Sequence, residues 1–315
     1  MSKYVLFLVG PTASGKSKIA LPLAKKLKGE IISCDSMQIY SGMDIGTAKP
    51  IQSERKMVPH YLIDLLSPKT ECSVFKYRRL ALKAIGKIHI KGRLPIVVGG
   101  SGLYFKAIVD GLAPLPGKQR NIRGNLESLV KLKGLPALYQ KLEKADPKRA
   151  HKINPNDKRR IIRALEILET SNRSQSDWEH ETQGLEKQGI EPIIFGLLRN
   201  REELYRRIEA RVDQMFKEGW IKEVKKLKRV GLSRTAKAAI GYQEILHYLA
   251  GQMTLQDAEV TIKKRTRHLA KKQMTWFRRD PRVHWLEVNG RSSVTSTVQT
   301  IIKKLKDFGC PVSAS

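Results

Sequence analysis

Short, uninterrupted apolar runs alternate with helical stretches along the first hundred residues of this 315-residue chain. Residues 4–9, Tyr4-Val5-Leu6-Phe7-Leu8-Val9, form one such run, and further runs lie at 31–34, 61–65 and 94–98. A strand covered on both faces needs apolar side chains at every position, so continuous rather than alternating hydrophobicity predicts buried parallel strands. Between the runs the pattern takes a helical period, over 16–27, where Pro22 can introduce a kink, and over 75–91. Strands alternating with helices in this way define an α/β core.

The pattern changes after residue 112. Pro114, Pro116 and Gly117 break the chain, and helical periodicity then runs over 121–133, 135–145 and 157–170 with no strand between. The next strand-like run is 192–198. Residues 113–189 therefore read as an all-helical insertion between two parts of the core, 1–112 and 190–315. The last part is helical and basic over 202–218, 221–230, 242–250 and 256–277, with a late strand at 284–288.

Composition narrows the partners. Hydrophobic residues make up 41% of the chain, enough for a core, and 60 Lys and Arg against 30 Asp and Glu leave a formal net charge of +30. A surface so basic seeks a polyanion, with a solvated coat that only aids solubility as the plainer alternative. No apolar run approaches the roughly 20 residues that span a bilayer, which favours nucleic acid over membrane. Cys34, Cys72 and Cys310 are far apart and include no Cys-x-x-Cys pair, so neither a disulfide framework nor a zinc site is expected, and a reducing, cytoplasmic setting fits. The opening apolar run is short and leads straight into Gly10-Pro11-Thr12, so it reads as a first strand and not a signal peptide.

That junction carries the most specific chemistry. Gly10, Pro11, Thr12, Ala13, Ser14, Gly15, Lys16 and Ser17 fit the phosphate-loop pattern G-x-x-x-x-G-K-[ST], set between a strand and a helix. There the backbone N–H groups close round phosphate oxygens at a helix N-terminus, Lys16 adds a point charge, and the Ser17 hydroxyl can ligate magnesium. The loop does not say which phosphate it holds. An ordinary NTPase is disfavoured, because the chain has no clear apolar strand ending in an acidic pair and no Asn-Lys-x-Asp base reader. Asp35 closes the second strand, at the sheet edge where open α/β folds bind ligands. A carboxylate there can hold magnesium, cap a following helix or accept a proton, and the residues alone leave all three open.

A wider resemblance follows from the order of several motifs. Asp35-Ser36-Met37-Gln38-Ile39-Tyr40, Gly46-Thr47-Ala48-Lys49-Pro50, Pro59-His60-Tyr61-Leu62-Ile63-Asp64 and Gly99-Gly100-Ser101-Gly102-Leu103-Tyr104 succeed the phosphate loop. Asn154-Pro155-Asn156-Asp157, Arg160, Arg163-Ala164-Leu165-Glu166 and Ala239-Ile240-Gly241-Tyr242-Gln243-Glu244 come after. From Val9 to about Arg278 the chain resembles the tRNA dimethylallyltransferases. The resemblance implies a P-loop NTPase-like parallel sheet with an inserted helical domain that grips the tRNA anticodon stem-loop, and a helical C-terminal region. It implies dimethylallyl diphosphate as donor, magnesium as cofactor, and the N6 amine of the adenine 3′ of the anticodon as acceptor. A monomer is expected.

By the same resemblance Asp35 is the base that relieves the attacking amine of its proton. Lys16, the loop N–H groups and magnesium on Ser17 neutralise the leaving diphosphate. Ser101 keeps the hydroxyl of the family's threonine and is expected to bond diphosphate or adenine, with a simple turn serine as the alternative. Ser36, Met37 and Gln38 beside Asp35, Arg123, and the block Arg159, Arg160, Ile161, Ile162 and Arg163 are the expected tRNA contacts. Gln38 is a candidate reader of the base edge, and for each Arg a solvated helix face is the alternative. Lys263, Lys264, Arg265, Arg267, Lys271 and Lys272 on a late helix add phosphate-gripping charge, and Trp276 and Phe277 read as core. Two positions depart from the family pattern: Arg159 replaces a common Gln, and Ala238 stands where Arg or Gln is frequent, leaving Arg234 or Lys237 to substitute.

Three competing readings remain at this level. A prenyltransferase acting on free adenine nucleotides would share the core but have little use for a basic insertion. A small-molecule kinase would use the loop for ATP. A noncatalytic RNA-binding module would leave Asp35, Lys16 and Ser17 without purpose.

Overall fold

The computed structural model describes residues 3–178, 181–289 and 293–311. Two compact units emerge, one of residues 1–109 with 185–315 and one of Asp110–Gly184.

In chain order the first unit holds β1 (Lys3–Val9), α1 (Lys16–Lys26), β2 (Glu30–Cys34), α2 (Gln52–Met57), β3 (His60–Tyr61), α3 (Val74–Ile90), β4 (Pro95–Gly99) and α4 (Gly102–Val109). The second unit contributes α5 (Arg120–Ala145), α6 (Pro147–Ala150), α7 (Lys158–Ser171) and α8 (Gln175–Trp178). The first then resumes with β5 (Ile190–Leu198), α9 (Arg201–Lys217), α10 (Trp220–Val230), α11 (Tyr242–Leu249), α12 (Leu255–Phe277), β6 (Val283–Glu287) and α13 (Val294–Asp307).

All six strands run parallel in the order β3-β2-β4-β1-β5-β6. The continuous apolar runs have their physical explanation in β1. Val5, Phe7 and Val9 enter the core on one face of the sheet, and Leu6 and Leu8 enter a separate core on the other. The first face packs on α3, α4 and α12 through residues such as Tyr77, Phe105 and Phe277. The second packs on α1 through Ile19 and Leu23 and on α13 through Val298, Ile301 and Leu305.

Differences from the expected elements have local causes. The run at 61–65 gives only a two-residue strand, because Leu62 (φ 63°) and Asp64 (φ 55°) turn left-handed and Asp64 meets Lys49 Nζ at 2.5 Å and Arg55 Nη1 at 2.6 Å. Helix α1 continues through Pro22. Helices α2, α4 and α13 were not anticipated, although the apolar spacing of Val298, Ile301 and Leu305 marks one face of α13.

In the second unit α5 is broken at Gly134 (φ 78°), and α5 and α7 share a core that includes Leu126, Leu138, Leu142, Ile161, Ile162 and Leu165. Glu166 is fully buried there and accepts hydrogen bonds from Gln119 N (2.7 Å), Arg123 Nη2 (2.8 Å) and Arg163 Nη1 (3.0 Å).

A comparable buried carboxylate opens β2. Glu30 accepts from Tyr61 Oη and Arg93 Nη1 at 2.6 Å each and from Lys91 Nζ at 3.1 Å. Burial alone would raise its pKa, but these three donors outweigh it and hold the carboxyl below its ordinary 4.5. A carboxylate with a depressed folded pKa stabilises above its unfolded pKa and loses that contribution as pH falls through the folded value. Glu30→Ala is therefore expected to cost about 2 kcal/mol near pH 7, less than the roughly 3–5 kcal/mol of a fully buried pair because Lys91 and Arg93 are half exposed. Urea titrations should show the gap between wild type and variant closing below pH 4.5; a gap constant with pH would mean the carboxylate charge is irrelevant.

Candidate active site

The carboxyl ends of β1, β2, β4 and β5 converge, and the chemistry-bearing residues leave the sheet there. After β1 the phosphate loop turns into α1 at Gly15, whose φ of 104° suits glycine and whose place at the helix start carries no side-chain cap. The first-turn N–H groups of α1 are thus left for an anion. Lys16 Nζ lies inside the loop, donating to Gly10 O at 2.9 Å and Pro11 O at 2.6 Å. Burial, and next the charge of Arg211, push its pKa down to about 7, against the opposing pull of Asp35 and Cys34. Ser14 is fully buried and its Oγ makes no hydrogen bond among the described residues.

The loop is fastened from behind by residues that sequence reasoning missed. Arg199 Nε donates to Ser14 O and Arg207 Nε to Ala13 O, both at 2.9 Å. Gln273 Oε1, from α12, accepts from Thr12 N at 2.8 Å, and Arg211 Nη1 reaches Thr12 Oγ1 at 3.4 Å. One clue was present in the sequence: Arg207 and Arg211 are four apart, hence on one face of the helix that follows the strand beside β1.

Asp35 follows β2, and its Oδ1 accepts from Met37 N at 2.8 Å. It caps a turn; the next helix begins only at Gln52, so the helix-capping alternative falls away. Ser101 stands where β4 gives way to α4, its carbonyl accepting from Phe105 N at 2.9 Å, so a second helix N-terminus faces the site. Gly102 follows it because a Cβ would lie 2.3 Å from Trp276 Cδ1.

A cavity of about 500 Å³ joins these parts. Thr12, Asp35, Ser36, Ser101, Arg211 and Gln273 bring polar side chains to it beside Ala13 and Met37, and Ile208, Val212, Met215, Trp220 and Ile240 add apolar lining. Trp276, expected in the core, is 41% exposed and lines this cavity, because Gly102 admits its ring, while Phe277 is buried as expected.

Gln38 does not line it. Its Oε1 accepts from Ser33 Oγ at 2.7 Å and its Nε2 donates to Thr47 O and Ala48 O at 3.1 and 3.3 Å. The amide holds the following loop. Ala238 lines this cavity and also a second one beside Arg234 and Lys237, and Arg234 pairs with Glu71 at 3.2 Å.

In the second unit the block 159–163 divides by helix face. Arg159 and Arg160 are exposed on the first turn of α7, whereas Ile161 and Ile162 are 0% and 4% exposed. These two side chains build the unit's core and are corrected from contact residues to packing residues. Arg123 and Arg163 are part-buried and held on Glu166. On α12, Lys263 pairs with Asp213, Arg265 with Glu244 and Arg267 with Glu209, so three of its six expected phosphate grips already meet carboxylates. Lys264, Lys271 and Lys272 remain exposed.

Known proteins resemble this chain along nearly its whole length. A family model described as IPP transferase matches residues 38–280. A tRNA dimethylallyltransferase of Carboxydothermus hydrogenoformans is 45% identical over 311 residues, covering 96% of this chain and 97% of that protein. The chain belongs to the tRNA dimethylallyltransferase family. A second member of the family, from Geobacter metallireducens, is 44% identical over 93% of this chain and 96% of its own. Among solved structures, the full-length tRNA isopentenylpyrophosphate transferase of Bacillus halodurans aligns with a TM-score of 0.71 at 41% identity, over 98% of each chain. A eukaryotic dimethylallyltransferase acting on tRNA aligns with a TM-score of 0.84 at 28% identity, over 99% of this chain and 81% of that one. The α/β sheet with its phosphate loop is thus the fold of a prenyltransferase family, and no described helix is long and apolar enough to cross a membrane.

Fastening the loop from behind has a measurable consequence. Arg207→Ala removes a charged donor from Ala13 O, a bond of about 1.5–3 kcal/mol, and is expected to weaken inorganic diphosphate binding about tenfold or more. Isothermal titration of the full chain reads this directly, and unchanged affinity would show that the loop holds its shape unaided.

Proposed function

We propose that the chain transfers a dimethylallyl group from dimethylallyl diphosphate to the N6 amine of the adenine 3′ of the anticodon, tRNA position 37, with release of diphosphate. The observation that carries this reading is the single cavity onto which the phosphate loop and Asp35 both open. The amine lone pair forms the N6–C1 bond, the C1–O bond breaks with its electron pair passing to diphosphate, and the N6 proton goes to Asp35. Lys16 and the loop N–H groups meet the charge that accumulates on the leaving group. Ser101, at the start of α4, is within the same cavity and offers its hydroxyl to diphosphate or adenine. The apolar wall from Ile208 to Ile240 suits the prenyl chain.

Magnesium suits the donor set. Ser17 is exposed on the first turn of α1, and Asp35 has one carboxylate oxygen beyond the one that caps its turn. A hard cation with few protein oxygens, completed by water and substrate phosphates, is the usual magnesium arrangement. Bound there by Ser17 and the diphosphate, it would supply further positive charge to the leaving group.

For tRNA, the reading assigns Asp35, Ser36 and Met37 to the base that enters the cavity. Arg159 and Arg160 contact the backbone of the anticodon stem-loop through the helical unit, with Arg123 and Arg163 nearby in sequence and already oriented by Glu166. Extruding the adenine costs a few kcal/mol, which these contacts offset.

The deciding assay incubates the purified chain with labelled dimethylallyl diphosphate, magnesium and unmodified tRNA, with AMP as a parallel acceptor. Label is expected in tRNA alone, reduced about 10²–10⁴-fold by Asp35→Asn, and reduced similarly by Lys16→Ala. Label in AMP would transfer the reading to a nucleotide enzyme, and ATP γ-phosphate transfer in its place would make it a kinase. In the same system Arg159→Ala with Arg160→Ala is expected to weaken tRNA binding and lower its salt slope by about 2, one for each lost phosphate contact. A filter-binding series at several salt concentrations measures it; an unchanged slope would remove both residues from the interface.

A further inference from the structure

Trp220, only 2% exposed, lines the 500 Å³ cavity and is clamped between glycines of two motifs that take no direct part in the chemistry. A Cβ at Gly46 would overlap the indole at Nε1, and one at Gly241, whose φ is 94°, would overlap it at Cη2. The Tyr242 ring meets the indole edge to face at 5.9 Å, and the Phe216 ring lies 5.4 Å from it. Such packing leaves the ring one position, because moving an indole out of a close-packed slot requires several neighbours to move with it.

The place of the indole along the cavity follows from α9. Arg207 and Arg211 meet the phosphate loop at Ala13 and Thr12, and Ile208 and Val212 beside them begin the apolar lining. Met215 continues it one turn past Arg211, about 6 Å along the axis at a rise of about 1.5 Å per residue. The helix then ends, the chain turns at Gly219 (φ 97°), and Trp220 opens α10 as the next apolar contact with the cavity. A dimethylallyl chain extends roughly 4 Å from C1 over three carbon–carbon bonds, and a geranyl chain about twice as far. With diphosphate in the loop, the shorter chain ends alongside Met215 and the longer one runs into the indole.

We propose that Trp220 is a specificity-determining residue, whose indole closes the apolar end of the cavity and limits the donor to a five-carbon chain. The proposal rests on the prenyl-transfer reading and adds to it an upper size for the donor. Transfer of a geranyl group uses the same bonds as transfer of dimethylallyl: N6–C1 forms, C1–O breaks with its electron pair on diphosphate, and the N6 proton goes to Asp35. Selection therefore falls on the tail of the donor and not on its reacting end. Each methylene that an apolar pocket admits or refuses changes discrimination several-fold, so five added carbons suffice for strong selection.

The test measures kcat/KM with dimethylallyl diphosphate and with geranyl diphosphate on unmodified tRNA, for wild type, Trp220→Phe and Trp220→Ala as full chains with unfolding midpoints recorded. Wild type is expected to favour the five-carbon donor about 100-fold or more. Trp220→Ala should erase most of that preference, and Trp220→Phe, one ring smaller, should lower it several-fold. A preference that keeps its wild-type value in either folded variant, with both donors slowed alike, would overturn the proposal and leave the indole a structural residue. So would a wild type that uses the two donors within about threefold of each other. Calorimetric titration of wild type with each donor, without tRNA, needs no variant. Dimethylallyl diphosphate is expected to bind about tenfold or more tighter than geranyl diphosphate, and equal affinity would overturn the proposal. If wild type transfers neither group, the prenyl-transfer reading fails, while that titration still decides whether the cavity stops at five carbons.

Discussion

Two guanidinium groups hold the carbonyl oxygens of Ala13 and Ser14 from outside the phosphate loop, each at 2.9 Å. A peptide group has its C=O and N–H on opposite sides, so fixing the carbonyl direction fixes the amide direction as well. Gln273 fastens the loop from α12 through Thr12 N, and Lys16 ties its first two carbonyls together from within. The anion cradle is therefore not a property of the eight-residue motif alone. It depends on the end of β5, α9 and α12, which supply partners 185 to 261 positions away in sequence. Preorganisation of this kind is what lets backbone dipoles stabilise charge without reorganising as it forms.

Charge is sorted rather than merely abundant. A net +30 predicts an attraction to polyanions, but it does not say which cations act on which anion. Pairing makes that distinction. On α12, Lys263, Arg265 and Arg267 meet carboxylates of α9 and α11, so they fasten helices, and Lys264, Lys271 and Lys272 are the exposed remainder. Buried Lys49 is similarly internal, donating to Tyr40 O and to the carboxylates of Asp44 and Asp64. Counting basic residues in a sequence overstates the charge available to a ligand by every pair of this kind.

The sheet was legible because strands buried on both faces leave a mark that needs no tertiary information: every position is apolar. The phosphate loop and Asp35 were legible for a related reason, since both sit at strand ends that the runs already defined. What escaped were roles set by contact. Ile161 and Ile162 lie between arginines in sequence, yet a helix turns 100° per residue, so neighbours in a motif face different ways. Gln38 adjoins Asp35, but its amide completes the loop through Thr47 O and Ala48 O. Trp276 and Phe277 read alike as core until Gly102 is placed beside the first of them, leaving room for an indole at the cavity. Helix α4 was hidden behind its own glycines, which read as a turn.

The motifs that made the family recognisable without suggesting any chemistry turn out to be scaffold for the residues that do. Residues 44–46 give their N–H groups to Glu223, and Tyr242 Oη donates to the same carboxylate at 2.7 Å. Thr47 Oγ1 donates to Met43 O at 2.6 Å, and Lys49 Nζ ties Tyr40 O and the Asp44 carboxylate to Asp64 of the following motif. The segment so held is the continuation of the turn that Asp35 caps, and Gly46 and Thr47 line the same cavity as Asp35. A general base must be held to within a fraction of an ångström of the proton it takes, and a surface loop cannot do this without such bonding. In the proposed mechanism the chemistry rests on a few groups, Asp35, Lys16 and the loop amides, and their placement is determined by many residues bonded to the protein alone.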